Sequence, residues 1–584
     1  MGNAGAALRA LAPEPVTGIV FAVSTWLRFM HLHSAAHAAL IPGILLASSC
    51  TLLPRSHPSM TALPQTRAER TGYTETSHYE DVIGFLDSLQ KLGAPLYRDS
   101  IGHTTEGRTL PLVVLSRPLV RTPAEAHRLN RPIVYVQANI HAGEVEGKEA
   151  MLAMIRDLAF HAGPGVLDSI VLMVVPIYNA DGNERFASQE TNRTEQNGPE
   201  LVGTRANAQG LDLNRDYVKA EAPETRASLA AFNAWDPNVF VDLHTTDGSF
   251  HGYALTYSPS LDPAALFTGP FTRDSLLPEL RHRVRERHGF EVFDYGNFSQ
   301  DFKEDLADSV KHGWYTYDSR PRFGTNYYGL RNRIAILSEA YSHDPFERRI
   351  KATYAFVQEI LSLVAEQGAT IRALEQRADA SVALWAAKPD AAPPIPLRSE
   401  LTRNPRTEPV SAEVLEHTGD SSRTQPGVPR GFRRTGRFFT TNMPVYDRFD
   451  PTLERKLPAG YVVPAGDTAV LRLLELHGVK VQHLSRSWTT TVERFTLDSI
   501  AVAPRPFQGH HEVTLNGRWN RERTTIPAGV MYVSASQPLA LVAFHLLEPE
   551  SDDGLATWNL FDNELSPGAP FPILRCIEPL SPIL

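Results

Sequence analysis

Between residues 75 and 370 the apolar positions follow two alternating patterns. In YEDVIGFLDSLQKL and KEAMLAMIRDLAF they recur at three- and four-residue steps, which predicts amphipathic helices. Between and after these lie short unbroken runs, PLVVLS, PIVYVQANI, SIVLMVVPIYN, NVFVDLHTT and RIAILSEAY, rich in Val, Ile and Leu. A strand with one wet face would alternate, so these runs predict strands covered on both sides. A long helical stretch beginning IKATYAFVQEILSLV closes the region. The alternation predicts an α/β unit over 75–370, with a mixed, mostly parallel sheet and helices on both faces.

Residues 371–430 read as a helix end followed by a linker, because Pro and Arg interrupt every apolar run. From 431 to 584, GYVVPA, VKVQHLS, WTTTVERFTL, HEVTLNGRW, GVMYVSAS and ALVAFHLLE are strand-like and separated by Gly, Pro and Asn, which predicts a smaller β-rich C-terminal domain. At the other end, 1–54 carries a short apolar core from Ala38 to Ala47 followed by small residues, the pattern of an export signal rather than a spanning helix. Cys50 follows Leu46-Ala47-Ser48-Ser49, resembling a bacterial lipoprotein signal, so periplasmic or extracellular export and membrane attachment through a lipidated Cys50 are expected. Residues 55–74, rich in Pro, Ser, Thr and Arg, read as a linker.

Charge and cysteine usage narrow the chemistry. Among 584 residues, Lys and Arg number 57 and Asp and Glu 66, a formal net charge of −9. There is no basic arm, so nucleic acid is not an expected partner. The two cysteines, Cys50 and Cys576, can build neither a disulfide framework nor a cysteine-rich metal site. A metal would have to be held by His and carboxylates.

Such a set is present at strand ends. PIVYVQANI runs directly into His141-Ala142-Gly143-Glu144, and a three-residue step in a tight turn lets both side chains face one point. NVFVDL ends in His244, at the carboxyl edge where open α/β sheets place ligands. Two His and one carboxylate form the ligand set of a catalytic zinc site, which keeps a position open for water. RIAILS ends in Glu339, a carboxylate that folding alone does not demand and that can serve as base towards that water.

With Asn179-Ala180-Asp181-Gly182 and Asp212-Leu213-Asn214-Arg215 between these segments, residues 75–370 resemble the M14 metallocarboxypeptidase family. The resemblance implies a carboxypeptidase-like fold and one zinc ion per chain, held by His141, Glu144 and His244. It implies Asp212 as the partner that orients His141, and Asn214 and Arg215 as the grip on the terminal carboxylate of a peptide with a free C-terminus. Arg205, ten residues before Arg215, matches the arginine that polarises the scissile carbonyl. Glu339 takes the place of the catalytic glutamate that activates zinc-bound water. Tyr317, twenty-two residues earlier, takes that of the substrate-capping tyrosine, and Tyr328 that of a further aromatic at the substrate.

Departures keep other readings open. Ala180 replaces proline, Asp216-Tyr217 replaces Asn-Phe, and Pro321 and Arg322 stand where small glycines are usual. Arg320 and Arg322 could favour acidic side chains or simply form salt bridges, and His251 and His312 could line the cleft. Asp242-Leu243-His244-Thr245-Thr246 is similar to desuccinylase and aspartoacylase relatives, so a zinc-dependent deacylase or cell-wall peptide amidase is the alternative. An inactive binding module is the lesser one, against which the complete ligand set with Glu339 counts.

Overall fold

The computed structural model describes residues 63–298, 313–420, 428 and 430–580. The export-signal region with Cys50, and His312, lie outside these residues. One compact unit spans His57–Leu584.

Its centre is an eight-stranded sheet. In chain order the strands are β1 (Tyr97–His103), β2 (Thr109–Leu115), β3 (Ile133–Ala138), β4 (Val171–Val175), β5 (Val239–Thr245), β6 (Leu255–Pro259), β7 (Val292–Asp294) and β8 (Ile334–Ala340). Across the sheet the order is β1-β2-β4-β3-β5-β8-β6-β7. The four middle strands, β4, β3, β5 and β8, run parallel, while β1, β2 and β6 meet their inner neighbours antiparallel. The five apolar runs of the sequence are β2, β3, β4, β5 and β8.

Alternate residues of each strand feed two cores. Val134, Val136, Val239, Val241 and Ile336 face one side, packed with α1 (Tyr79–Lys91), α2 (Glu146–Phe160) and the first half of α5 (Phe346–Ala387). Tyr135, Phe240 and Ala335 face the other, under α3 (Pro223–Trp235) and α4 (Gly324–Leu330). Burial on both faces is what the unbroken Val/Ile/Leu runs require.

The described parts of the expected linkers, 63–74 and 371–420, are structured. Arg67–Arg70 form a helical turn capped by Thr66 and tied down by Arg67–Asp81 and Arg156–Glu69 ion pairs. Helix α5 continues to Ala387, and the chain then enters β9 (Pro394–Thr402) and β10 (Thr407–His417). These pair with β12 (Arg448–Lys456) and β11 (Phe432–Tyr446), and the end of β11 also pairs in parallel with the short strand Trp314–Tyr315. A further sheet contains β13 (Gly460–Val463), β14 (Trp488–Val502), β15 (Val513–Ile526), β16 (Met531–Ser534) and β17 (Pro570–Cys576), with Gln482–His483 at its edge.

ALVAFHLL is helical, not a strand: Ala540–Leu547 form α7, buried on every side. Period gives no signal in such a segment, and its Ala and Leu content favours helix. A second helix, α6 (Thr468–Leu476), packs on α3. The β-rich region also shares the core beneath α3 and α4, where Tyr461, Val463, Leu541 and Phe544 join Phe232 and Tyr328. It is a continuation of that core rather than an independently packed domain.

Candidate metal centre and substrate cleft

The site lies at the carboxyl ends of β3, β5 and β8. After β3 the chain turns at Asn139, whose φ of 65° is left-handed and whose Nδ2 donates to the carbonyls of Ala142 (3.3 Å) and Glu144 (3.2 Å). That turn presents His141 and Glu144 together. Gly143 is needed there because a Cβ would stand 2.7 Å from Arg193 Cγ and 2.9 Å from the Gly203 carbonyl. His244, near the end of β5, is the register partner of Glu339 on β8, so neighbouring parallel strands deliver ligand and base side by side.

Three ligand atoms converge. His141 Nδ1 lies 3.0 Å from Glu144 Oε1, His244 Nδ1 lies 3.0 Å from Glu144 Oε2, and the two imidazole Nδ1 atoms are 3.2 Å apart. The outer nitrogens face carboxylates: His141 Nε2 donates to Asp212 Oδ1 at 3.0 Å, and His244 Nε2 is 3.1 Å from Asp242 Oδ2, off the line of a hydrogen bond. Protons placed on the Nε2 atoms leave both Nδ1 lone pairs aimed inward beside a carboxylate. That donor set fits a divalent cation, and carboxylate-backed histidines are the usual support of such a centre.

The local field agrees. Burial works against a charged His244, yet Asp242 and Glu144 hold its pKa well above the usual range. Burial also works against a charged Glu144, but the neighbouring His141 and Arg193 hold it well below the carboxylate range. The pocket therefore draws positive charge between its walls. Glu339 behaves oppositely: burial, with Glu144 and Asp247 adding to it against the pull of His244, pushes its carboxyl well up.

Asp212 joins this centre to the arginines. Its Oδ1 also accepts the Asn214 N–H at 2.9 Å, and its Oδ2 accepts Arg205 Nε at 2.9 Å. Arg205 Nη1 in turn reaches Glu144 Oε1 at 3.4 Å. Asn214 Oδ1 accepts the Gly324 N–H at 2.9 Å, and the Arg215 guanidinium stacks 4.0 Å above the Phe323 ring. Tyr317 is close by, its hydroxyl 2.8 Å from Thr325 Oγ1 and its ring edge-on to Tyr295 at 5.6 Å. Asn179 caps Gly182 and donates from Nδ2 to the carbonyls of Ile140 and Arg205, joining the ligand turn to the arginine segment.

Some expectations fail. Tyr328 does not face the cleft: it is fully buried, stacked 3.9 Å from Phe232, with its hydroxyl on Ser228. Its place one turn into α4 aims it at the sheet. Arg322 does not reach out for a substrate side chain either, because Asp553 and Glu512 hold it at 2.9 and 2.6 Å. Arg320 is held by Asp318.

Other residues had no signal in the sequence. Arg193, almost fully buried, donates to Glu144 Oε1 at 3.1 Å and to the carbonyls of Thr245 and Thr246 at 3.1 and 3.0 Å. It braces both ligand segments, yet it lies in a polar stretch without a motif. Asp242 could have been found as the residue two before His244 on the same strand face.

Residues 84–323 match the family model described as zinc carboxypeptidase. The chain carries a zinc carboxypeptidase domain. It is a metallopeptidase, a reading the family match supports over the deacylase and inactive-module alternatives. "Carboxypeptidase 2" of Trichophyton tonsurans is 23% identical over 510 residues, 85% of this chain and 86% of that protein. "Carboxypeptidase M" of Mus musculus is 30% identical over 215 residues, 35% of this chain and 44% of that one. A solved metallo-carboxypeptidase from Burkholderia cenocepacia aligns with 19% identity over 50% of this chain and 70% of that one, with a TM-score of 0.36.

Proposed function

We propose that His141, Glu144 and His244 hold a zinc ion and that this carboxypeptidase removes single residues from peptides with a free C-terminus. When bound there, a zinc ion would supply Lewis acidity to polarise the scissile carbonyl and to acidify the attacking water. Glu339 takes the proton of that water as it adds to the carbonyl carbon, then delivers it to the departing amine as the C–N bond breaks. Arg205, held through Nε by Asp212, directs its remaining N–H groups at the carbonyl oxygen as negative charge develops there. Asn214 and Arg215 bind the terminal carboxylate, the guanidinium fork supplying paired donors and Phe323 fixing its plane. Tyr317 caps the bound residue.

The observation carrying this reading is Asp212, a single carboxylate shared by a metal-facing histidine, the carbonyl-directed arginine and the backbone of the carboxylate grip. It sets the metal and the grip in one frame, which is what cutting at a fixed distance from a terminal carboxylate requires. Mass spectrometry of a peptide mixture with free and amidated C-termini tests it. One-residue ladders from the free peptides alone are the expected result; internal fragments, or equal trimming of both forms, would refute it.

We further infer export, with Cys50 as the attachment point, from the apolar segment and small residues before it. Among the described residues no helix is long and apolar enough to cross a membrane.

A further inference from the structure

The loop between β14 and β15, far along the chain from the metal centre, reaches directly into the carboxylate grip. Its tip is a two-residue turn closed by Phe507 N–H to His510 O at 2.8 Å and His510 N–H to Phe507 O at 3.0 Å. The two central residues, Gln508 and Gly509, have φ of 52° and 83°. Positive φ at both positions is the requirement of a type I′ turn, for which Asn-Gly is the favoured pair and a longer side chain at the first position is costly. Gln508 accepts that cost, and its side chain has a job at the site: its Oε1 accepts the Asp212 N–H at 2.9 Å. Asp212 caps the short turn Leu213–Arg215, from which Asn214 and Arg215 project.

The loop is anchored on both sides of that contact. His510 Nδ1 and Nε2 meet Asn559 Oδ1 at 3.0 Å and Glu221 Oε1 at 2.9 Å. Glu512, two residues on, holds Arg322, next to the Phe323 ring on which Arg215 stacks. Lys219, on the segment following Arg215, lies 4.3 Å over the Trp558 ring. The β-rich region thus clamps both walls of the grip, residues 212–219 and 322–324.

We propose that Gln508 is a positioning residue for substrate: by holding the Asp212 backbone it fixes the turn that presents Asn214 and Arg215 to the terminal carboxylate. The C-terminal region is then a working part of the substrate site. This rests on the carboxylate role proposed above for Asn214 and Arg215, and the test separates the two.

The decisive variant is Gln508→Asn. Asn suits a positive-φ turn position at least as well as Gln, but it is one methylene too short to reach Asp212. It should leave thermal stability and zinc content at least as high as in the parent. Calorimetric binding of one peptide, as free acid and as C-terminal amide, is measured on zinc-loaded Glu339→Gln protein with and without Gln508→Asn. The free acid should bind about fivefold more weakly in the double variant, the factor for losing one ordinary hydrogen bond, while amide binding stays unchanged. Gln508→Met, which keeps the length without the acceptor, should give the same free-acid loss. Equal free-acid affinity with and without the Gln508 changes, or equal weakening of acid and amide, would overturn the positioning role. Equal binding of acid and amide by the Glu339→Gln parent would instead overturn the carboxylate grip.

Discussion

Replacing Asp212 with Asn tests the frame of the site at its joint. The carboxylate accepts three hydrogen bonds, from His141 Nε2 at 3.0 Å and the Asn214 N–H at 2.9 Å on Oδ1, and from Arg205 Nε at 2.9 Å on Oδ2. An amide has one accepting oxygen. Turned towards His141 and Asn214 it keeps two of the bonds and sets its NH2 against the Arg205 N–H; flipped, it opposes two donors. The first orientation therefore wins, and the variant loses the charge-assisted bond to Arg205 along with the negative charge behind His141. The lost bond is worth about 1.5–3 kcal/mol, or about 10- to 150-fold in kcat/KM if Arg205 acts chiefly in the transition state. Loss of the carboxylate behind His141 should weaken zinc binding about 10- to 100-fold. Competition against a chromophoric chelator gives the zinc affinity, and kcat/KM is then measured at saturating zinc. Because Arg205 has lost its anchor already, adding Arg205→Met to Asp212→Asn should cost much less than Arg205→Met alone. Zinc affinity within twofold of wild type, with additive losses in the double variant, would refute the shared-carboxylate argument.

Glu339→Gln, nearly isosteric, should keep full zinc content and lower kcat by about 10²- to 10⁴-fold; turnover near wild type would remove Glu339 as the base. Away from the site, burial pushes the Glu375 carboxyl from the usual 4.5 up to about 8. Its folded pKa is the higher one, so the folded state holds a proton that the unfolded chain has lost, and its share of stability is full below about pH 4.5 and lost as pH rises to 8. Urea melts of Glu375→Gln at pH 5 and pH 8 should show a smaller loss of stability with rising pH than wild type; equal losses would contradict this. Expressed in a bacterium, the protein should partition with membranes, and Cys50→Ser should release it to the soluble fraction. Unchanged partitioning would refute attachment through Cys50.

The central sheet was legible because its strands are buried on both faces, so β3, β4, β5 and β8 are short apolar runs rich in Val, Ile and Leu rather than alternating ones. The metal-facing residues stood out for the converse reason, as His and Glu at strand ends where the fold asks for no charge. The ribbons after Ala387 were hidden because they lie on the surface. Strand β12 reads RFDPTLERK and buries almost nothing, so its pattern differs little from a loop. Helix α7 failed from the opposite extreme, apolar on every face. Tyr328 sits at a plausible distance from Glu339 in sequence, but one position on a helix decides between cleft and core, and α4 turns it inward. Arg193 and Gln508 act only across the fold. Gln508 meets Asp212 from 296 residues away, and no local pattern encodes such a meeting.

The most direct test of the account is the ratio of kcat/KM for a peptide with a free C-terminus to that for its amide, measured in wild type and in Arg215→Met. Truncating one partner of a buried charge pair costs about 2–5 kcal/mol, so wild type should favour the free acid by well over tenfold. Arg215→Met should collapse that preference by lowering the free-acid rate while leaving the amide rate nearly unchanged. A wild-type ratio near one, or a preference that survives intact in Arg215→Met, would contradict the account.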